Sequence, residues 1–302
     1  MEINEIEILS VGVDVGSSTS HLVFSNLLLK RDQRSVTRRF NIQERNIIYE
    51  GRIIHTPLLD DNTIDVNKLT GFFKEEYERA GIDPADIQTG AVIVTGESAR
   101  KHNARQIAEA LSNDAGKFVA ATAGPNFESL IAAMGSGAAA RSKDDKKTML
   151  SCDIGGGTSN LAIARNGEIL STSCISVGGR LLGVDSKRKI WRIDEPAAMV
   201  MEELGLKYQI GDNISKGDIE KVAVKFAEIL FEVITGPATS SLARQLMQSD
   251  DLEYCNRIDE YSFSGGVAEL MYGGLTNFDD IGHILADKIK LLAFELAAPV
   301  IE

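Results

Sequence analysis

The sequence DVGSSTSHL at residues 14–22 returns as DIGGGTSNL at residues 153–161. Five of the nine positions are identical, a sixth exchanges Val for Ile, and the copies start 139 residues apart (153 − 14). Each copy has an apolar run on both sides, which predicts a strand, a glycine-rich turn and a second strand. Each copy places a carboxylate beside a glycine loop large enough to hold a phosphate. The presence of two such copies suggests one nucleotide that is bound from two sides.

The residue types in the two loops suit phosphate binding. Backbone N–H groups in a glycine-rich bend can converge on phosphate oxygens, and Gly permits positive φ and close approach to a ligand. Side-chain hydroxyl groups add further donors. The candidate phosphate-binding residues are Gly16, Ser17, Ser18 and Thr19 in the first loop, and Gly155, Gly156, Gly157 and Thr158 in the second.

An aspartate opens each copy of the repeat. A carboxylate beside a polyphosphate is repelled unless a cation lies between them, and Mg²⁺ is held by one or two carboxylates together with phosphates and water. Asp14 and Asp153 are therefore the candidate metal-positioning residues, acting through water. The common phosphate motifs do not apply, because neither loop ends in Lys and neither carries G-x-G-x-x-G at the start of a helix.

A third glycine segment lies at residues 264–269, where a strand is predicted to end and a helix to begin. Gly265 and Gly266 would let a flat base and ribose lie against the backbone there. For any single D-x-G-x-x-T copy the alternative is a tight turn that contains a helpful Asp. Two matching copies and the later strand, Gly-Gly and helix together favour nucleotide binding over that alternative.

The composition limits the classes of protein. A chain of 302 residues, 43% hydrophobic and 25% charged, has an ordinary globular profile, and its length predicts two domains. A net charge of −12 argues against nucleic acid or an anionic membrane as the main partner. Three scattered Cys without metal-ligand spacing are expected to be reduced thiols of a cytosolic protein. We see no secretory leader, and no apolar run reaches the roughly 18 residues of a membrane span.

Local patterns divide the chain into halves. Residues 125–140 predict one helix, with Pro125 tolerated in its first turn. The charged residues 141–147 lack a long apolar side chain and mark the boundary, which gives domains at 1–140 and 148–302. The other local predictions are a strand at 89–95, a helix at 98–111, a hairpin turn at 166–167 and a final apolar helix at 281–298.

The three glycine segments, in this order and spacing, resemble those of the actin-like ATPase superfamily of actin, sugar kinases and the large heat-shock chaperones. The resemblance implies an α/β, ribonuclease H-like fold with two α/β domains around a cleft that holds ATP and Mg²⁺. It implies Asp14, Asp153 and Glu128 as catalytic residues, and residues 264–269 as the adenosine loop. Glu128 would orient the attacking water or, alternatively, only satisfy the positive end of its helix.

Longer strings are similar to one family of that superfamily, the ethanolamine ammonia-lyase reactivating factors of ethanolamine utilisation. These strings are VTGESARK at 94–101, AGPNFES at 123–129 and FSGGVA at 263–268. The resemblance implies a molecular chaperone that uses ATP and Mg²⁺ to release damaged cobalamin from ethanolamine ammonia-lyase, so that adenosylcobalamin can enter. It implies a cytoplasmic location and leaves open both association with a bacterial microcompartment and the oligomeric state.

Members of that family are longer and carry a further C-terminal region. Only 36 residues follow Gly266 in this chain (302 − 266). We therefore expect the chain to be a fragment in which the last domain is incomplete.

Two other classes of function stay open. A small-molecule kinase on the same fold needs an acidic base beside a substrate pocket, for which Glu97 and Glu128 are the candidates. An amphipathic anchor would favour an actin-type polymer or membrane-tethered scaffold, and we do not see one in these residues. Trp191, which lies among Arg and Lys residues, predicts either a partly exposed partner contact or core packing.

Overall fold

The computed structural model describes residues 5–16, 19–31, 40–60, 63–95, 118–122, 124–254, 256–274 and 278–301. Contacts divide the chain into two compact units, Met1–Ala123 and Gly124–Glu302. Each unit is built on its own mixed β-sheet. The helix predicted at 98–111 lies outside the described residues.

The first unit holds one large sheet. Its elements are β1 (Glu5–Val15), β2 (Thr19–Arg31), β3 (Phe40–Glu50), β4 (Ile54–His55), β5 (Leu58–Asp60), β6 (Thr63–Ile64), α1 (Val66–Ala80), a 3₁₀ helix (Pro84–Asp86), β7 (Thr89–Val94) and β8 (Phe118–Thr122). The strand order is β3-β2-β1-β7-β8, in which β1, β2 and β3 are antiparallel neighbours. β7 runs parallel to β1, and β8 runs parallel to β7. The strand predicted at 89–95 is confirmed as β7.

Alternating burial along β1 and β2 explains the core of the first unit. Apolar residues at every second position point to one face of the sheet, where α1 covers them. α1 begins after Asp65, whose carboxylate accepts a hydrogen bond from the Lys68 amide at 3.1 Å, and ends at Gly81 with φ 68°. The buried core residues include Val11, Val13, Val15, Leu22, Phe24, Leu69, Phe72 and Phe73.

A buried carboxylate ties α1 to the segment between β3 and β4. The Glu76 side chain is fully buried and accepts hydrogen bonds from the Tyr49 hydroxyl at 2.8 Å, the Arg52 amide at 2.9 Å and Arg52 Nε at 2.6 Å. Burial acts to raise the pKa of Glu76, but these hydrogen bonds outweigh it and the pKa lies below the ordinary 4.5. The charged form of Glu76 therefore stabilises the folded state.

Replacing Glu76 with Gln is expected to lower the free energy of unfolding at pH 7 by about 2 kcal/mol, because charge-assisted hydrogen bonds are lost. A lowered pKa stabilises the fold above the unfolded pKa, and that stabilisation disappears as the pH falls through the folded pKa. The difference between wild type and E76Q in urea unfolding should therefore shrink below about pH 4. Glu75→Gln is the matched control, since its side chain is 65% exposed, and an equal loss in E75Q would contradict the assignment.

The second unit repeats the architecture of the first. Its sheet contains β9 (Thr148–Ile154), β10 (Ser159–Arg165), β11 (Glu168–Ile175), β14 (Glu260–Ser264) and β15 (Val300–Ile301) in the order β11-β10-β9-β14-β15. β9, β10 and β11 are antiparallel neighbours, whereas β14 runs parallel to β9 and β15 parallel to β14. Order and direction are those of the first sheet, so the duplication seen in nine residues extends to the whole sheet.

Helices cover the second sheet, and a separate hairpin of β12 (Leu182–Val184) and β13 (Ile190–Ile193) lies beside them. The long helix Lys216–Thr235 buries Phe226 and Leu230 in the main core. None of the helices in the described part of the chain has the length and apolar character needed to cross a membrane. The helices are α2 (Pro125–Gly135), α3 (Ala138–Asp144), α4 (Glu195–Glu203), α5 (Lys216–Thr235), α6 (Ser241–Leu246), α7 (Gly266–Met271) and α8 (Gly282–Ala293).

Two local predictions on this unit differ from the structure, and one is confirmed. Residues 125–140 form α2 and α3 rather than one helix, because Gly137 between them takes a left-handed φ of 84°. The helix predicted at 281–298 ends at Ala293, and the chain continues into β15. The hairpin turn at 166–167 is confirmed, with positive φ at both residues.

α2 and α3 belong to the second unit, so the chain divides after Ala123 rather than in the charged residues 141–147. The Ser129 hydroxyl of α2 donates to the Ser173 carbonyl of β11 at 2.9 Å, and the Gly167 amide donates to Ser142 Oγ of α3 at 3.0 Å. Small side chains permit this close packing, and those buried are Ser129, Ala133, Ala138, Ala139 and Ser142. A charge run alone does not reveal such contacts.

Candidate functional site

The first glycine loop closes the hairpin of β1 and β2. The Gly16 amide donates to the Thr19 carbonyl at 2.9 Å, which fixes the chain on both sides of the bend. The buried Thr56 hydroxyl donates to the Gly16 carbonyl at 2.7 Å, and the Thr95 hydroxyl approaches Asp14 Oδ1 at 3.4 Å. Asp14 is half-buried at the end of β1. The predicted loop residues Ser17 and Ser18 lie outside the described residues.

The second glycine loop closes in the same way. The Gly155 amide donates to the Thr158 carbonyl at 2.9 Å, which matches the bond between Gly16 and Thr19 in atoms and length. The register is also equivalent, since each aspartate pairs with the residue seven positions later, Asp14 with His21 and Asp153 with Asn160. The sequence prediction of strand, glycine turn and strand is therefore confirmed for both copies.

Asp153 and the third glycine segment meet within the second unit. β14 and β9 pair in parallel with Ser264 beside Asp153, and the Ser264 hydroxyl donates to Asp153 Oδ2 at 2.7 Å. Burial raises the pKa of Asp153, and the hydrogen bond from Ser264 only partly opposes that effect. A carboxylate held in this way gains from a cation beside it, because a nearby positive charge favours the ionised form.

The described residues contain no preformed cluster of metal ligands. In that part of the chain no group of three or more His, Cys, Asp or Glu side chains could hold a metal ion. Mg²⁺ does not require one, because it keeps several waters and shares its remaining positions between one or two carboxylates and phosphates. The metal-positioning roles of Asp14 and Asp153 both stay predictions.

Gly265 is required by the backbone at the start of α7. Its φ is 89°, and a Cβ placed on it would lie 2.6 Å from the Ile154 carbonyl oxygen. Gly266 differs, because a Cβ there meets nothing within 4 Å. Gly265 therefore lets the third segment pack against the end of β9, next to the second loop.

Gly265→Ala is expected to lower the free energy of unfolding by about 3 kcal/mol, because left-handed strain adds to a steric clash. Gly266→Ala is the matched control and should change stability by less than about 1 kcal/mol, since the site is open. Urea unfolding of both variants measures the difference. Equal stabilities would show that the close approach of Gly265 to Ile154 is not a real constraint.

Sequence reasoning missed the residues that support the second loop from behind. The Gly179 amide donates to the Gly155 carbonyl at 3.1 Å, and the Arg180 amide donates to the Gly156 carbonyl at 2.7 Å. A Cβ on Gly178 would lie 2.4 Å from the carbonyl carbon and oxygen of Gly156, so only Gly fits there. One signal was available in the sequence. The Gly-Gly pair at 178–179 follows a strand, yet no neighbouring residue marks it as part of a turn.

Glu128 lies in the first turn of α2, as predicted, and is half-buried. Its amide donates to the carbonyl of the N-cap residue Gly124 at 2.9 Å, which is the first hydrogen bond within the helix. Both predicted roles, orientation of water and satisfaction of the helix end, remain predictions. Glu97 lies outside the described residues.

The model of the family described as "Ethanolamine utilisation protein EutA" matches residues 6–300. Over 287 residues the chain is 36% identical to the ethanolamine ammonia-lyase reactivase EutA of Salmonella typhimurium, and equally to that of Escherichia coli. Each match covers 94% of this chain and 61% of the relative, so the chain spans less than two thirds of these proteins.

Among solved structures, the chain is similar to the PPX-GPPA enzyme of Aquifex aeolicus. The TM-score is 0.50 at 14% sequence identity, with 89% of this chain and 73% of that chain covered. At this identity the likeness concerns the fold alone. The α/β fold of the actin-like ATPases, predicted from the glycine segments, is confirmed.

Proposed function

The chain belongs to the EutA family of ethanolamine utilisation proteins, and on this premise we propose that it is an ATP-dependent reactivating chaperone. Its proposed partner is ethanolamine ammonia-lyase, and its proposed effect is the exchange of damaged cobalamin for adenosylcobalamin. The names of the Salmonella and Escherichia relatives support the partner and the reactivating role.

The observation that carries the ATP dependence is the matched closure of the two glycine loops. In both loops a glycine amide donates to a threonine carbonyl at 2.9 Å, and in both an aspartate precedes the glycine. A hydroxyl at the end of the parallel neighbouring strand accompanies each aspartate: Thr95, which directly follows β7, approaches Asp14, and Ser264, the last residue of β14, donates to Asp153. Two turns with this shared chemistry are explained by a shared ligand type, for which a polyphosphate with a divalent cation is the best fit.

Each residue group has a separate task in the proposed hydrolysis. Backbone N–H groups of the loops would stabilise charge that develops on the phosphate oxygens during in-line attack by water. Asp14 and Asp153 would hold Mg²⁺ through water, and Glu128 would orient the attacking water. When bound, Mg²⁺ supplies neutralisation of the phosphate charge.

The proposal is tested by reactivation of the lyase. Ethanolamine ammonia-lyase blocked with cyanocobalamin, which lacks the adenosyl group, is incubated with the protein, Mg²⁺, ATP and free adenosylcobalamin. We expect lyase activity to return and cyanocobalamin to appear in the filtrate only when ATP and Mg²⁺ are both present. Equal recovery without the protein, or without ATP, would contradict the proposal.

A second readout separates the chaperone from the kinase alternative. ATP consumption by the protein should require no small-molecule acceptor, and the phosphate should appear as inorganic phosphate. Transfer of the γ-phosphate to a metabolite such as ethanolamine would favour the kinase and count against the reactivating role. Mass spectrometry of the products makes the distinction.

A further inference from the structure

A buried ion pair lies directly behind the second glycine loop. The Arg180 and Asp280 side chains are only 3% and 7% exposed, and Arg180 Nε lies 3.3 Å from Asp280 Oδ2. The Arg180 guanidinium also stacks on the Phe278 ring, with 4.6 Å between the guanidinium carbon and the ring centroid. Burial lowers the pKa of Arg180 and raises that of Asp280, although each charge opposes the effect on the other.

Both residues of the ion pair lie in segments whose backbone hydrogen bonds support the second glycine loop. The Arg180 amide donates to the Gly156 carbonyl at 2.7 Å, so the residue that carries the guanidinium also holds the loop. Asp280 Oδ1 accepts a hydrogen bond from the Gly282 amide at 2.8 Å, at the start of α8. The Ile281 amide donates to the Gly179 carbonyl at 3.1 Å and closes the connection from the other side.

The same segment leads to Trp191 on β13. The Trp191 indole N–H donates to the Asp279 carbonyl at 2.7 Å, and the Val184 amide donates to the same oxygen at 2.7 Å. Asp279, which lies between Phe278 and Asp280 in the chain, has a left-handed φ of 53°, and this backbone conformation sets the orientation of its carbonyl. The indole is 40% exposed and packs where a Cβ on Gly183 would lie 2.5 Å from it.

Stability alone does not explain a buried ion pair at this place. Replacing such a pair by apolar side chains of similar volume is often neutral or stabilising, because desolvation of both charges is costly. The pair supplies a fixed orientation instead, since a planar guanidinium fixes the position of its partner more tightly than an apolar contact does. It thereby orients the backbone of the strap 178–180, which supports the loop carbonyls of Gly155 and Gly156.

We propose that Arg180 and Asp280 are positioning residues that hold the second glycine loop in its observed shape and couple that loop to Trp191. The inference rests on the proposed function, because it assigns the pair to the site for ATP phosphates. Binding of ATP phosphates at the second glycine loop is then expected to change the environment of the Trp191 indole. The change would pass through Arg180, Asp280 and the Asp279 carbonyl. Trp191 is the single Trp of the chain, so tryptophan emission reports on this position alone.

The test uses the double variant R180M/D280L, which removes both charges together and leaves no unpaired buried charge. Three readouts are compared with wild type: amide hydrogen exchange in residues 155–158, the Kd for Mg·ATP, and the change of tryptophan emission on adding Mg·ATP. We expect exchange at least about tenfold faster, a Kd at least about tenfold weaker, and loss of most of the emission change. R192Q/D194N is the matched control, because Arg192 and Asp194 form a bidentate pair next to Trp191 with bonds of 2.8 and 2.7 Å.

Each outcome decides a separate point. A folded double variant with wild-type exchange, affinity and emission would overturn the inference, as would equal effects in R192Q/D194N. Faster loop exchange in a protein whose wild type binds no Mg·ATP would support the positioning role and contradict the proposed function. If the double variant does not fold, Arg180→Lys serves instead, since it keeps both buried charges but removes the planar guanidinium that fixes direction, and it should show the same three effects in smaller degree.

Discussion

Replacing Asp153 with Ala is expected to reduce Mg·ATP turnover by about 100-fold or more, because a charge stabiliser of the transition state is lost. Asp153 lies at the end of β9, where Ser264 donates to it at 2.7 Å and burial raises its pKa. Keeping a carboxylate ionised where burial disfavours its charge lowers the stability of the fold. A role in function explains why such a residue is present. Steady-state release of inorganic phosphate measures the effect.

The stability of the same variant sharpens the prediction. Because Ala removes a carboxylate that burial disfavours, the thermal midpoint of D153A should equal or exceed that of wild type. Asp145→Ala is the control, since Asp145 lies in an exposed ion pair with Arg141 and should leave turnover unchanged. Full turnover in D153A, or loss of turnover only through unfolding, would remove Asp153 from the mechanism.

Replacing Gly178 with Ala is expected to weaken Mg·ATP binding by at least about tenfold, because displacement of a positioned group by about 1 Å can cost that much or more. The added Cβ would lie 2.4 Å from the carbonyl carbon and oxygen of Gly156, and rigid backbone occupies that space. The second loop must therefore move away from the strap 178–180. Overpacking of this kind should also lower the free energy of unfolding by about 1–3 kcal/mol.

Gly135→Ala provides the comparison for Gly178→Ala. A Cβ at position 135 meets nothing within 4 Å, and Ala has a higher helix propensity than Gly at the end of α2. Nucleotide affinity should be unchanged in G135A, as measured by calorimetric titration. Wild-type affinity in G178A would mean that the loop does not depend on the strap behind it.

The sequence was sufficient for the parts of the site that lie within short local patterns. The duplicated aspartate and glycine residues predicted two hairpins with equivalent turns, and the structure has both, down to the bonds of Gly16 and Gly155. Gly265 was singled out for a different reason, contact with a base and ribose, which stays a prediction, while the structure shows that its φ of 89° requires Gly. These features depend on residues within about four positions of one another, which is the range in which turn chemistry acts.

The supporting groups could not be predicted because their partners are distant in sequence. Thr95 is 81 residues from Asp14, Ser264 is 111 residues from Asp153, and Arg180 is 100 residues from Asp280. The same reason explains β15, whose two residues carry no strand pattern and gain their structure by pairing with Tyr261 and Ser262. Only the folded sheet order brings such residues together.

The central proposal is that the chain binds ATP with Mg²⁺ and that Asp14 and Asp153 each contribute to this binding. Calorimetric titration of the wild-type protein with the non-hydrolysable analogue AMPPNP and Mg²⁺ tests it most directly, with D14A and D153A titrated in parallel. The account predicts one molecule bound per chain, with binding weakened at least about tenfold in either variant. No binding to the wild type, two molecules per chain, or full affinity in both variants would contradict it.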